Sequence, residues 1–237
     1  RVGWLLISLV AGLASAGCGG FGMSITGSGH AVTKEYDLAG FSRLSIGNAF
    51  HVEVAQGAKH SVAVTVDDNL VEYLDVAESG GTLRIRMQSG LNIRKATMKA
   101  VVAMPELTGL DLSGAVRAAV TGFSSDKTLD AELSGASHLR GEIKTGDARF
   151  DASGASSVEL RGGGKNLKIG VSGASSVNLG EFRSGDADVQ ASGASHVTVI
   201  PSGRLDAEAS GASSVHYLGE PSNVKSHTSG ASSVRKK

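Results

Sequence analysis

Between residues 129 and 217 apolar and polar side chains alternate in short runs that recur in the same phase. Leu129-Asp130-Ala131-Glu132-Leu133 is one such run, and Ala148-Arg149-Phe150-Asp151-Ala152 and Leu167-Lys168-Ile169-Gly170-Val171 repeat it. A period of two marks a strand with one buried face. Each run leads into Ser-Gly-Ala. A second alternating run follows, begun by Leu139, Val158, Val177, Val197 and Val215 and continued by Leu160, Leu179, Val199 and Tyr217. The pattern predicts units of two strands joined by a corner. Turns rich in Gly, Asp, Asn and Ser close them: "TGD" at 145–147, "GGGKN" at 162–166, "SGD" at 184–186 and "PSN" at 221–223.

The corner is nearly invariant. "SGASSV" stands at 153–158, 172–177, 210–215 and 229–234, with variants "SGASHL" at 134–139, "SGASHV" at 192–197 and the looser "SGAVRA" at 113–118. Successive opening serines are 21, 19, 19, 20, 18 and 19 residues apart. That period is too short for helical-pair repeats or propeller blades. It predicts an all-β fold, a right-handed parallel β-helix or solenoid with ~19-residue coils. Gly114, Gly135, Gly154, Gly173, Gly193, Gly211 and Gly230 are the predicted corners, because glycine turns at positive φ without a Cβ clash.

Large and small residues trade places within a coil, as Leu129 with Ala131 and Ala148 with Phe150, which a narrow, densely packed interior requires. Serines 137, 156, 175, 195, 213 and 232 fall on the inward parity. Their buried hydroxyls need partners, and a ladder to the coil above or below would supply them.

Residues 30–107 lack the hexapeptide but keep the strand pattern, as in Leu44/Ile46, Val52/Val54, Val62/Val64/Val66 and Leu83/Ile85/Met87, and predict a less regular N-terminal β region. Residues 67–77 predict one or two helical turns, with Asp67 or Asp68 as cap and Leu70, Val71 and Leu74 inward. The last coil places Ser226, Thr228 and Lys236 on inward columns. It reads as a cap, or as an edge able to recruit another chain.

Composition agrees with this picture. The chain has 33 glycines, 3 prolines and 4% aromatics, so the core must rest on Val, Leu, Ile and Ala. Lys+Arg and Asp+Glu are both 23, which leaves no basic field for nucleic acid. Residues 1–18, "RVGWLLISLVAGLASAGC", carry one charge, at Arg1, before an apolar run that ends in small residues, the form of a secretory signal. Cys18 is the only cysteine, so no intrachain disulfide can form. "LASAGC" resembles a bacterial lipobox, although Ser15 stands where Leu is commonest. The resemblance implies lipidation of Cys18 and tethering to a membrane through a lipid anchor. Residues 19–29 read as a flexible tether, 30–107 as irregular coils, and 108–237 as the regular solenoid of the same domain.

"PELTGLDLSGA" (105–115), "FSRLSIGNAFHVEVAQG" (41–57), "DDNL" (67–70) and the reiterated "SGASSV" together resemble the bacterial head GIN domain family, proteins named as autotransporter adhesins and often lipoproteins or secreted. The resemblance spans about residues 30–234. It implies a β-helix-like domain facing the cell envelope, and it brings no catalytic residues with it.

Residue chemistry gives little beyond this. His138 and His196 share one motif position, but three coils at ~4.8 Å each separate them by roughly 14 Å, too far for one metal ion. Asp147, Asn166, Asp186 and Asn223 share a turn column with Arg204, which argues for turn capping rather than a calcium ladder. The outward columns mix charges, with opposite signs stacked at 130/149, 168/188 and 206/225. No catalytic, cofactor-binding or metal residues are expected. The expected function is a non-enzymatic, adhesin-like binding module of the cell envelope, lipid-anchored, secreted or periplasmic. Its partner would be a glycan, peptidoglycan or an envelope protein. The alternatives are a scaffold that self-associates through the solenoid end and, behind it, a β-helix polysaccharide-active enzyme.

Overall fold

The apolar columns stack as the alternation requires. In a computed structural model that describes residues 23–237, two sheets face each other across a thin apolar rod. The described chain is nearly all β, 61% strand and 3% helix, with about six solenoid turns. Strands running into the corners form an inbound sheet: Gly109–Leu112, Leu129–Leu133, Ala148–Ala152, Leu167–Val171, Ala187–Ala191, Arg204–Ala209 and Asn223–Thr228, parallel and in sequence order. Strands running out form an outbound sheet: Arg117–Ser124, His138–Lys144, Ser157–Gly163, Ser176–Ser184, His196–Pro201, Ser214–Tyr217 and Ser233–Lys236.

In-register pairing puts Leu129 beside Ala148, Ala148 beside Leu167 and Leu167 beside Ala187, so large and small residues alternate along the rod. The next inward column runs Ala131, Phe150, Ile169, Val189, Ala207, all buried. Each such Val, Leu or Ile contributes roughly 1.5–3 kcal/mol. The outbound register slips at residues 159–161 and 178–183, where the nine-residue strand Ser176–Ser184 carries extra length. The slip delivers Phe182 to the core, edge-on to Phe150 with centroids 6.3 Å apart.

At every corner the glycine has φ between +73° and +87°. A second reason for glycine is close stacking. A Cβ added to Gly154, Gly173 or Gly193 would lie 2.5 Å from the carbonyl oxygen of the preceding corner glycine. That oxygen accepts the N–H of the next corner's alanine, as Ala174 N to Gly154 O and Ala194 N to Gly173 O, both 2.8 Å. Five of the six serines after the corner are buried as expected, Ser232 in the last rung being half-buried, but their main bond differs. Ser156, Ser195 and Ser213 donate to the carbonyl three residues back in their own corner, at 2.8, 2.6 and 2.8 Å. Bonds from Ser195 and Ser213 to the neighbouring rung are longer, as Ser213 Oγ to Ala191 O at 3.1 Å, and only in the last rung does Ser232 reach both carbonyls equally, at 2.8 Å. The hydroxyl therefore tightens its own corner first and only secondarily ties rungs together.

The N-terminal part departs from a simple stack. Arg43–Ile46 and His51–Gln56 form a rung directly beside Gly109–Leu112 and Arg117–Ser124. Thr82–Met87 and Met98–Met104 form the next rung outward, so the chain steps out and then returns across the earlier rung. Antiparallel strands cover this end: Leu74–Ser79 on the inbound sheet, and Ser61–Asp67 then Ala31–Tyr36 on the outbound one. Met23–Thr26 pairs with Leu91–Arg94 in a separate ribbon.

The expected helix is a single 3₁₀ segment, Asp68–Tyr73. Residues from Leu74 onward become a strand, because the rim at Thr82–Met87 offers an unpaired edge. Asp67 is buried and makes no cap bond. Cys18 and the segment up to residue 22 lie outside the described residues.

Gly173→Ala and Gly90→Ala separate the two demands on the corner. Both glycines have positive φ, +73° and +82°, but a Cβ at Gly90 meets nothing within 4 Å. Gly90→Ala is expected to lose about 1–3 kcal/mol from backbone strain. Gly173→Ala is expected to lose clearly more, because rungs 154 and 173 must separate. Thermal and urea unfolding of the two variants checks the order.

Candidate functional site

The same corners shape the outer surface. Where inbound strands meet their corners, an open groove of about 790 Å³ runs along the solenoid. One wall carries the opening serines of successive hexapeptides, among them Ser134, Ser153, Ser172 and Ser192. The other carries the outward residue two positions earlier in each rung. Direct strand pairing aligns Asp111, Glu132, Asp151, Gly170, Gln190, Glu208 and His227 in one file. At ~4.8 Å per rung the file extends roughly 29 Å. Alternate positions along the strand are buried in the core, so the strand period that builds the rod also presents this file to solvent.

The groove lining holds four carboxylates and neither lysine nor arginine. Stacking Asp111, Glu132 and Asp151 on consecutive rungs is unfavourable for the sheet. Two of them have local partners. Ser45 Oγ donates to Asp111 at 3.1 Å, and Arg149 Nε donates to Asp151 at 2.7 Å. The Asp151 carboxylate, and more weakly Asp130 and Glu132, hold the Arg149 guanidinium above its ordinary pKa. Gly170 makes room for this arrangement, since a Cβ there would strike the Asp151 carboxylate.

The expected cross-strand ion pairs are only partly realised. Lys225 reaches Asp206 at 3.5 Å, whereas Arg149 turns to Asp151 on its own strand, and Asp130 is approached by Arg43 at 3.7 Å. The turn column behaves as caps. Asn166 Nδ2 donates to Asp147 at 2.9 Å, and Asp186 Oδ1 accepts the Arg204 N–H at 2.8 Å.

On the outbound face, His138 and His196 occupy the same file on separate rungs, each bonded through Nδ1 to the serine of the next rung, Ser157 at 2.6 Å and Ser214 at 2.5 Å. Comparing motif positions misses a diagonal neighbour. His216 lies one rung on and two residues along, opposite Thr198, and its Nδ1 stands 3.2 Å from His196 Nε2. The ring centroids are 4.8 Å apart. Burial first, and then the positive charge of His196, Lys237 and Arg235, lower the His216 pKa below its ordinary 6.5.

Among the described residues no group of three or more His, Cys, Asp or Glu is placed to hold a metal ion. Among them too, no helix is long and apolar enough to cross a membrane.

Residues 40–221 match the family described as "Putative auto-transporter adhesin, head GIN domain". Solved structures share the fold. A protein described as a putative adhesin from Bacteroides fragilis superposes with a TM-score of 0.84 at 20% identity, covering 90% of this chain and 100% of its own. A putative lipid binding protein from Parabacteroides distasonis gives 0.72 at 22% identity, with 90% and 99% covered. A putative adhesin from Parabacteroides merdae gives 0.71 at 16% identity, with 91% and 99% covered. A search of curated proteins finds no match.

The depressed His216 value has a testable sign. The unfolded chain takes the proton more readily than the folded one, so the contribution of neutral His216 to stability is full above about pH 6.5 and is lost as pH falls through the folded value. An NMR titration is expected to place the His216 midpoint below 6.5. His196→Ala is expected to restore only part of the shift, because burial is the larger cause.

Proposed function

The chain belongs to the head GIN domain family, and from that premise we propose that it is a non-enzymatic binding module of the bacterial cell envelope that holds a linear glycan in the serine–carboxylate groove. The observation that carries this reading is the periodicity of the groove. Each rung offers a corner serine and, at every rung but that of Gly170, an outward polar side chain, at a constant step. A surface with translational repeat suits a ligand with translational repeat. A polysaccharide is such a ligand, and a folded protein surface is not. Serine hydroxyls both donate and accept, and carboxylates accept from sugar hydroxyls, so every rung can make a modest contact that sums along the chain.

The adhesin description of the family supports a place at the cell surface or envelope. Lipid attachment at Cys18 would provide the anchor. The non-enzymatic part of the reading rests on the family and on where the acids stand. Glycoside hydrolysis needs carboxyl groups on either side of the scissile bond, whereas the carboxylates of this groove stand in one file on one wall.

A glycan array and affinity retention on insoluble envelope polysaccharide test the proposal. Ser172→Trp places an indole in the middle of the groove from an exposed corner position. It is expected to weaken binding at least tenfold, while replacement of the turn at 162–166 leaves binding unchanged. Equal binding by wild type and Ser172→Trp overturns the groove assignment. Absence of any glycan binding, with a light-scattering mass above that of a monomer, transfers the role to self-assembly.

A further inference from the structure

We infer that His196 and His216 form a divalent-metal site on the outbound face, selective for borderline ions of the Zn²⁺, Ni²⁺ and Cu²⁺ class. The site is separate from the glycan groove, which lies on the inbound sheet.

The inference starts from protons. His196 Nδ1 is bonded to Ser214 Oγ. When Nδ1 carries the ring proton and donates it to that serine, Nε2 is left with a free lone pair. That lone pair faces His216 Nδ1 at 3.2 Å, so one proton is shared between the two rings. Two protons cannot be accommodated there, because two N–H groups would then point at each other at hydrogen-bond distance. The pair therefore turns two nitrogen donors toward one small volume, with the ring centroids 4.8 Å apart.

A metal ion can take the place of that proton between the rings. The proton moves from His216 Nδ1 to Nε2 through solvent, both imidazoles stay neutral, and Nδ1 offers its lone pair. With Zn–N bonds of about 2.0–2.1 Å, two nitrogens 3.2 Å apart subtend roughly 100° at the metal, close to the tetrahedral angle. The Ser214 hydroxyl supplies the outer-shell partner that metal-binding histidines need to fix tautomer and ring orientation.

The surroundings set the character of the site. Facing His216 are Thr198 and Arg235 from the flanking strands, with Ser214 on its own strand and Lys237 nearby. No carboxylate is paired opposite either histidine, and the cations oppose any divalent ion. Hard ions that need oxygen ligands, such as Ca²⁺ and Mg²⁺, are therefore disfavoured, and imidazole-seeking ions are selected. The remaining coordination positions are left for water or an added ligand.

Untagged full chain is titrated with ZnCl₂ and with CuCl₂ by calorimetry at pH 7.5 and pH 5.5, with CaCl₂ as a control. The expectation is one ion per chain at pH 7.5, no response to Ca²⁺, and at least tenfold weaker binding at pH 5.5. His196→Ala and His216→Ala are each expected to lose at least tenfold in affinity, and His138→Ala, an exposed histidine bonded in the same way to the equivalent serine Ser157, to lose nothing. Ser214→Ala, which removes the orienting hydroxyl but no ligand, is expected to weaken binding by an intermediate factor. Circular dichroism confirms that each variant is folded. Substoichiometric Cu²⁺ is expected to broaden NMR signals around residues 196 and 216 before any others. No saturable Zn²⁺ or Cu²⁺ binding by wild type, or unchanged affinity in His216→Ala, overturns the site whatever the glycan result.

Discussion

Each rung rests on the one before it through a backbone contact at the corner that leaves no room for a side chain. The carbonyl oxygen of one corner glycine occupies the space a Cβ would need on the next, and the following alanine N–H closes on that same oxygen. Because the corner joins the last residue of an inbound strand to the first of an outbound strand, it sets the register of both sheets at once. A slip of one residue would turn the Leu, Val and Ala files outward. The buried serine that bonds back to its own corner stiffens this joint, so that the rung spacing is fixed by main chain and one hydroxyl rather than by the size of core side chains. The core can therefore trade Leu for Ala from rung to rung without disturbing the stack.

What could be read in the chain follows from that joint. Every regular rung meets the same surroundings, so the same letters recur, and aligning them recovers the inward files, the corners and the capping turns. Asn48 shows where such alignment fails. It stands at φ +64° in the corner position of the rung 43–56, and its carbonyl takes the Ala115 N–H at 2.6 Å just as a corner glycine would. Its side chain also accepts the Met87 N–H at 2.8 Å, a task glycine cannot perform. Asparagine is the residue that most readily joins glycine in the left-handed region, so "GNA" at 47–49 was the available signal for an eighth corner. The outward placement of rung 82–104 had no local signal, because rung order is decided by pairing between segments distant in sequence. Arg149 bonding Asp151 rather than Asp130 was equally hidden, since the two choices differ only in side-chain rotamer.

In the proposed reading function is carried by two kinds of position, and stability treats them differently. The groove is inherited from the repeat. Its serine wall exists because corners must stack, but its acidic file does not follow from stacking, since consecutive carboxylates in register work against the sheet. The histidine pair breaks the repeat. Ser157, Ser176 and Ser233 show that serine satisfies the position held by His196, and Asn178 and Thr198 stand in the file held by His216. Neither imidazole belongs to the buried core; the two are hydrogen-bonded to each other, and His196 also to a serine hydroxyl. A solenoid separates these roles cleanly. The inward files answer to packing alone, so the outward files of its two sheets are free to diverge, one into a repeated groove and the other into a single histidine pair.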